Sequence, residues 1–221
     1  MSIHQADTFL TPASNDLKLN AFEALAQRQT PASKPWMPVT DYSFEGRKAI
    51  EEPHAKLIRD VFAPTRVLDV GCGVPPILLA HLDKLGVEGR GVDVKVSPGE
   101  IGWLRHHDIS RGGPQPFLLR SELVICREVL EHLTILQIAQ AVRNLVALSM
   151  RYIYVTTRFS DGPHLLDVDT KDDLDPTHIT MLNQNLLRLL FVLEGCRRRA
   201  DLETKMDWMK KGRVLVYEVS W

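Results

Sequence analysis

Two groups of residues in this chain have the types and spacing to do chemistry. The first is Val67-Leu68-Asp69-Val70-Gly71-Cys72-Gly73, an apolar run that ends in Asp-x-Gly-x-Gly. Such a turn leaves backbone N–H groups uncovered at a strand's carboxyl end, where a nucleotide-like ligand can lie without meeting a side chain. Pro75 and Pro76 stand where a dinucleotide site would carry its third glycine, and no Gly-Lys-Ser/Thr follows. A diphosphate cradle and a phosphate loop are therefore both disfavoured. The two prolines are tolerated in the first turn of the next helix, where the N–H groups have no intrahelical partner. The second group is Glu128, Glu131 and His132. Their i, i+3, i+4 spacing puts them on one helical face if a turn of helix begins there. Two carboxylates and an imidazole can bind Mg²⁺ or Mn²⁺, with a further imidazole from His178 or His164.

The first group resembles the opening motif of class I S-adenosylmethionine-dependent methyltransferases, in which an acid ends the first strand before Gly-x-Gly. The resemblance covers about Arg66 to Trp221, and small-molecule enzymes are the most similar type. It implies S-adenosyl-L-methionine as cofactor and S-adenosyl-L-homocysteine as product, with Asp69, Gly71, Cys72 and Gly73 at the donor. Asp93, in Gly91-Val92-Asp93, resembles the acid that accepts hydrogen bonds from both ribose hydroxyls, a task suited to a carboxylate's several lone pairs. Asp108 resembles the residue that fixes the adenine amine, and Ile109 would flank the ring. Ser121 to Leu133 resembles the fourth motif, where a strand emerges beside the sulfonium. That implies Arg127 at the cofactor and Glu128 and His132 beside the reacting groups. Glu122 departs from the pattern, standing where many relatives carry Asp.

Methyl transfer from a sulfonium needs an aligned nucleophile and, for a hydroxyl acceptor, removal of a proton. Three roles are open to His132: a structural hydrogen bond, a substrate-side base or orienting group, and a metal ligand, in that order. No metal is expected on the small-molecule reading. The alternative comes from Glu-x-x-Glu-His, which is similar to the metal-dependent family that methylates the 2′-hydroxyl at the 3′ end of small RNAs. That likeness implies Glu128, Glu131, His132 and His178 as metal ligands and RNA as a partner. A third reading is a non-catalytic S-adenosylmethionine-binding module, since a fold can outlive its chemistry.

Composition bounds these readings. At 221 residues and 44% apolar content, the chain suits one well-buried domain. A formal net charge of −1 carries no global bias toward nucleic acid or membrane. Cys72, Cys126 and Cys196 are odd in number and widely spaced, which suits reduced thiols without a disulfide or zinc site. With no apolar run long enough to span a bilayer and no signal-like start, the protein is expected to be soluble and cytoplasmic, with no membrane partner. The acceptor atom and the oligomeric state carry no sequence signature.

The elements that must position these residues follow an alternation of strands and helices. It predicts a Rossmann-like α/β fold, doubly wound around a mainly parallel sheet, with a C-terminal antiparallel hairpin strand. Residues 1–45 read as an amphipathic helix at 16–29 and a proline-rich connector at 30–40. Trp36, Tyr42 and Phe44 there pack on the sheet or close over a substrate as a lid. Residues 46–221 read as the methyltransferase domain, entered through a helix from Phe44 to Val61. Strands are expected at Arg66–Val70, Gly89–Val94, Gly102–His106, Glu122–Cys126, Tyr152–Thr157 and Arg213–Val219, with Cys196–Ala200 available to pair with the last. Helices are expected at Ile77–Leu85, Thr134–Ser149 and Thr180–Leu193. Asp161 to Asp175 is an acid-rich loop, mostly a solvated run or else a site for a cationic substrate. Arg197, Arg198, Arg199, Lys205, Lys210, Lys211 and Arg213 either solvate the C-terminal hairpin or follow a phosphate backbone.

Overall fold

Short apolar runs rich in Val, Ile and Leu form the strands because both faces of the sheet are covered, and each run sends alternate residues into opposite layers. The computed structural model describes residues 44–96, 103–113, 120–160, 166–167, 178 and 180–220. In chain order these hold α1 (Phe44–Phe62), β1 (Arg66–Val70), α2 (Ile77–Lys84), β2 (Glu88–Asp93), β3 (Leu104–His106) and β4 (Ser121–Arg127). A 3₁₀ turn (Leu130–His132), α3 (Ile135–Leu148), β5 (Ser149–Thr156), β6 (Leu166–Asp167) and β7 (Met181–Leu182) follow. The chain then runs through α4 (Gln184–Leu193), β8 (Cys196–Arg198), α5 (Ala200–Met206) and β9 (Val214–Val219). The helix expected at 16–29, the connector and most of the acid-rich loop, His164 included, lie outside the described residues.

Seven strands make one sheet in the order β3-β2-β1-β4-β5-β9-β8, and β6 pairs with β7 apart from it. The first five run parallel, while β9 is antiparallel to both β5 and β8. Val67, Leu123, Ile125 and Tyr154 pack into the layer that holds Ala55 and Ile58 of α1, Leu79 of α2 and Leu202 of α5. Leu68, Val124, Ile153 and Leu215 face the other layer, against Val142 of α3 and Leu187 of α4. The result is the doubly wound sandwich expected, with β1 and β4 at its centre and their carboxyl ends side by side, Val70 opposite Cys126.

Four local expectations need correction. The proline pair stands before α2 and not in its first turn, with Pro76 as the N-cap residue. α4 begins at Gln184 and not Thr180, because Asn183 caps it by accepting the Asn185 N–H at 2.9 Å, while Met181 and Leu182 form β7. β5 starts at Ser149, which is also the C-cap residue of α3, so no loop separates helix from strand. Between β8 and β9 the chain makes a helix, α5, whose apolar Leu202 and Met206 are buried one turn apart. Among the described residues no helix is long and apolar enough to cross a membrane.

Candidate active site

The glycine turn leaves β1 with Gly71 at φ +72° and Gly73 at φ +73°, a region that residues with a side chain enter at a cost of about 1–2 kcal/mol. Its N–H groups are not left uncovered. Gly71 and Cys72 donate to the Val92 carbonyl at 2.8 and 3.2 Å, and Gly73 donates to Asp93 Oδ2 at 2.9 Å. The turn is closed back onto β2, so what it offers a ligand is the carboxylate it holds and not a nest of free donors. A Cβ on Gly71 would stand 2.2 Å from Cγ2 of Val129, in the turn after β4. Cys72 points its sulfur into the core, where a Cβ on Gly91 would lie 2.7 Å from it.

Asp93 ends β2 nearly buried, each oxygen accepting one backbone N–H, from Gly73 at 2.9 Å and from Lys95 at 2.8 Å. A carboxylate oxygen takes about two hydrogen bonds, so both retain capacity for hydroxyl donors. Asp108 follows β3. Burial would raise it, but the Ser110 hydroxyl and N–H, at 2.6 and 3.0 Å, and Arg111 at 2.8 Å hold it ionised below the usual carboxylate value. Ile109 is buried beside it, its carbonyl held by Asn144 Nδ2 at 2.7 Å. Asp69, Asp93 and Asp108 thus stand at or just past the carboxyl ends of three neighbouring strands, the place where open α/β sheets bind ligands. Glu122 lies at the opposite edge, accepting the Thr65 N–H and hydroxyl at 2.5 and 2.8 Å.

Arg127 ends β4 in a polar network the sequence does not announce. Its Nη2 donates to Glu51 Oε1 at 2.8 Å, and its Nη1 lies 2.8 Å from Nδ1 of His54, both on α1. His54 Nε2 in turn meets the Tyr154 hydroxyl at 3.0 Å. Since a guanidinium only donates, Nδ1 must accept, which fixes His54 as the neutral Nε2–H tautomer. Burial lowers the His54 pKa in the same sense. Burial would raise Glu51, but the Arg127 charge and hydrogen bond override it and hold the carboxyl at about 2. Two of the guanidinium's nitrogens are thus committed to α1.

Glu128, Glu131 and His132 do not share a helical face. Glu128 has φ +52° and donates its N–H to the Thr156 carbonyl at 2.8 Å, so the chain turns sharply before the 3₁₀ turn begins. Glu131 is fully buried, with Oε2 accepting the Thr157 hydroxyl at 2.7 Å and its carbonyl accepting the Thr180 N–H at 3.1 Å. Burial, and then the Glu128 carboxylate beside it, push Glu131 up to about 8. His132 is exposed, its ring centroid 4.8 Å from that of His178. These four residues gather at one place, yet among the described residues no three of His, Cys, Asp and Glu stand in metal-ligating geometry.

This strand order, with an antiparallel penultimate strand and three strand-end acids, defines a Rossmann-like fold. No protein-family model matches the chain, and no curated protein sequence does. Solved structures do. Magnesium protoporphyrin IX methyltransferase from Synechocystis PCC 6803 with bound SAH superposes at TM-score 0.56 and 14% identity, over 92% of this chain and 99% of that one. The sugar N-methyltransferase KedS8 from Streptoalloteichus gives 0.56 and 16% over 84% and 99%. The Burkholderia thailandensis 1,6-didemethyltoxoflavin-N1-methyltransferase, with its substrate and SAH bound, gives 0.54 and 15% over 96% and 92%.

Proposed function

We propose that the protein transfers a methyl group from S-adenosyl-L-methionine to a small-molecule acceptor. The observation that carries this reading is the closed unit of glycine turn and acid, Gly73 N–H to Asp93 Oδ2 at 2.9 Å, on the central strands of this fold. It supports ribose binding and leaves nothing for a diphosphate. The similar enzymes act on a porphyrin, a sugar amine and a toxoflavin precursor, which supports a small acceptor without choosing one.

When bound, S-adenosylmethionine supplies a methyl carbon already activated by its sulfonium. The protein's share is placement and proton handling. Asp93 would accept the ribose hydroxyls, ionised Asp108 the adenine amine, and buried Ile109 would wall the ring. Exposed His132, with His178 at its side, would orient an acceptor or take its proton. Burial and the Glu128 carboxylate both favour the protonated form of Glu131, which limits the negative charge next to Glu128. Calorimetry with S-adenosylhomocysteine tests the first half of the proposal, and labelled-methyl transfer to fractionated metabolites, RNA, DNA and protein the second. Absence of homocysteine-nucleoside binding by folded protein overturns it; binding with no transfer to any pool favours the non-catalytic module.

The metal-dependent RNA reading draws on the His132–His178 approach and the Glu128–Glu131 pair. Against it, Arg197 and Arg199 pair with Glu218, Arg198 with Glu203, and Arg199 with Asp201. Transfer abolished by chelator and restored by Mn²⁺ would replace the small-molecule reading with this one.

A further inference from the structure

The loop between α5 and β9 presents two large apolar side chains to solvent, Trp208 at 41% and Met209 at 43% exposure. Lys210 and Lys211 follow directly, both exposed and in no ion pair among the described residues. An exposed tryptophan beside a cationic pair is an unusual surface for a loop.

The loop is built and not merely left over. Lys210 is held at φ +52°, in the left-handed region, with its N–H on the Asp207 carbonyl at 2.9 Å. The Asp207 carboxylate accepts the Lys211 and Gly212 N–H groups, each at 2.9 Å, and Gln184 Nε2 at the start of α4 donates to the Gly212 carbonyl at 3.2 Å. The Asp207 carboxylate thus folds the loop's own backbone around it, one N–H on each oxygen, and the Lys210 and Lys211 side chains stay exposed.

β9 begins where β5 ends, Val214 paired with Thr156, so the loop lies at the carboxyl edge of the sheet. The Trp208 ring centroid is 6.2 Å from that of His54, which bonds Arg127, the residue before Glu128. From the other side, Thr156 takes the Glu128 N–H. The Trp208 loop and the Glu128–His132 turn therefore flank the same end of β4 and β5.

Resting on the methyltransferase reading, we propose that Trp208, Met209, Lys210 and Lys211 form the acceptor platform and that the acceptor is an aromatic carboxylic acid. Its ring stacks on Trp208 beside the Met209 thioether, and its carboxylate lies against the lysines. A flat ring and a fixed anion match these four side chains in shape and sign; a cationic or purely aliphatic acceptor would leave either the indole or the ammonium groups without a partner.

The test is ligand-observed NMR on the full chain saturated with S-adenosylhomocysteine, using a panel of mono- and bicyclic aromatic carboxylic acids, each paired with its primary amide. Acids are expected to bind at least about ten-fold more tightly than their amides, a difference on the scale of one charge-assisted contact. Trp208→Ala should weaken acids and amides alike, whereas Lys210→Ala with Lys211→Ala should erase only the acid's advantage. Calorimetric titration of each variant with S-adenosylhomocysteine separates the two proposals: no homocysteine-nucleoside binding by the unaltered protein sinks the methyltransferase reading itself. With that binding intact, equal affinity for acids and amides, insensitivity to the substitutions, no bound acid in the panel, or selective binding of an oligonucleotide instead overturns the platform.

Discussion

Val129 occupies the space where any side chain at Gly71 would stand, so the donor turn and the turn bearing Glu128 are fitted to one another. Gly71→Ala meets both a Cβ 2.2 Å from Val129 Cγ2 and a backbone at φ +72°. The second term alone costs about 1–2 kcal/mol. Gly71→Ala is therefore expected to lose more than this in urea unfolding and to lose S-adenosylhomocysteine binding. Adding Val129→Ala removes the offending methyl and should return the loss to the backbone term; a double variant no better than the single one refutes the fitted-turn account. Glu131 supplies a second prediction. Its carboxyl binds its proton more tightly folded, at about 8, than at the usual 4.5. The folded state thus holds the extra proton between those values, so its contribution is complete below pH 4.5 and is lost as pH rises toward 8. Glu131→Gln should flatten the fall in melting temperature across that range, and an unchanged slope would show that Glu131 does not titrate there.

At the scale of elements, α1 is fastened to the sheet by charge as well as by Ala55, Ile58 and Phe62. Glu51 works in the opposite sense to Glu131: its folded value of about 2 lies below the usual 4.5, so its stabilisation is present above 4.5 and is lost as pH falls toward 2. That shift corresponds to about 3 kcal/mol at neutral pH. Glu51→Gln strands the buried Arg127 cation, which is expected to cost about 3–5 kcal/mol by chemical unfolding at pH 7 and less in acid. Arg127→Met with Glu51→Leu should recover most of that loss if the network is a fastening only. None of this was legible beforehand, because Glu51 and Arg127 are distant in sequence and meet only through the packing of α1. The strands were legible because their apolar runs are continuous and end at glycines and acids, as in Arg66–Val70. α5 was not: in Ala200–Met206 only Leu202 and Met206 mark the buried stripe, and its charges satisfy neighbours, as Glu203 does Arg198. The site divided the same way. Asp93 and Asp108 sit at strand ends that the sequence pattern locates, whereas the positions of Glu128 and Glu131 depend on a left-handed residue that an i, i+3, i+4 count cannot see.

For the molecule as a whole, the question is whether its surface can hold a polyanion. A net charge of −1 leaves local pairing to decide, and the seven cations from Arg197 to Arg213 are not equivalent. Arg197 and Arg199 face Glu218, Arg199 also grips Asp201, and Arg198 forms three contacts with Glu203 at 2.5 to 3.0 Å. An arginine already facing a carboxylate neutralises no phosphate, and so frees none of the nucleic acid's counterions, unless that pair is first broken. Lys205, Lys210, Lys211 and Arg213 remain, at most four charges, and two of them lie on the Trp208 loop. Single-stranded binding loses affinity with salt at a logarithmic slope of about −0.7 per neutralised phosphate, so four cations give a slope no steeper than about −3. Fluorescence anisotropy of a labelled single-stranded RNA between 50 and 200 mM salt, with S-adenosylhomocysteine present, measures it directly. A shallow slope with weak binding is expected if the unpaired lysines of this surface hold one anionic acceptor and not a nucleic-acid backbone. A steep slope with tight binding at physiological salt would mean that the arginine pairs open for a nucleic acid, and the acceptor would then have to be sought there.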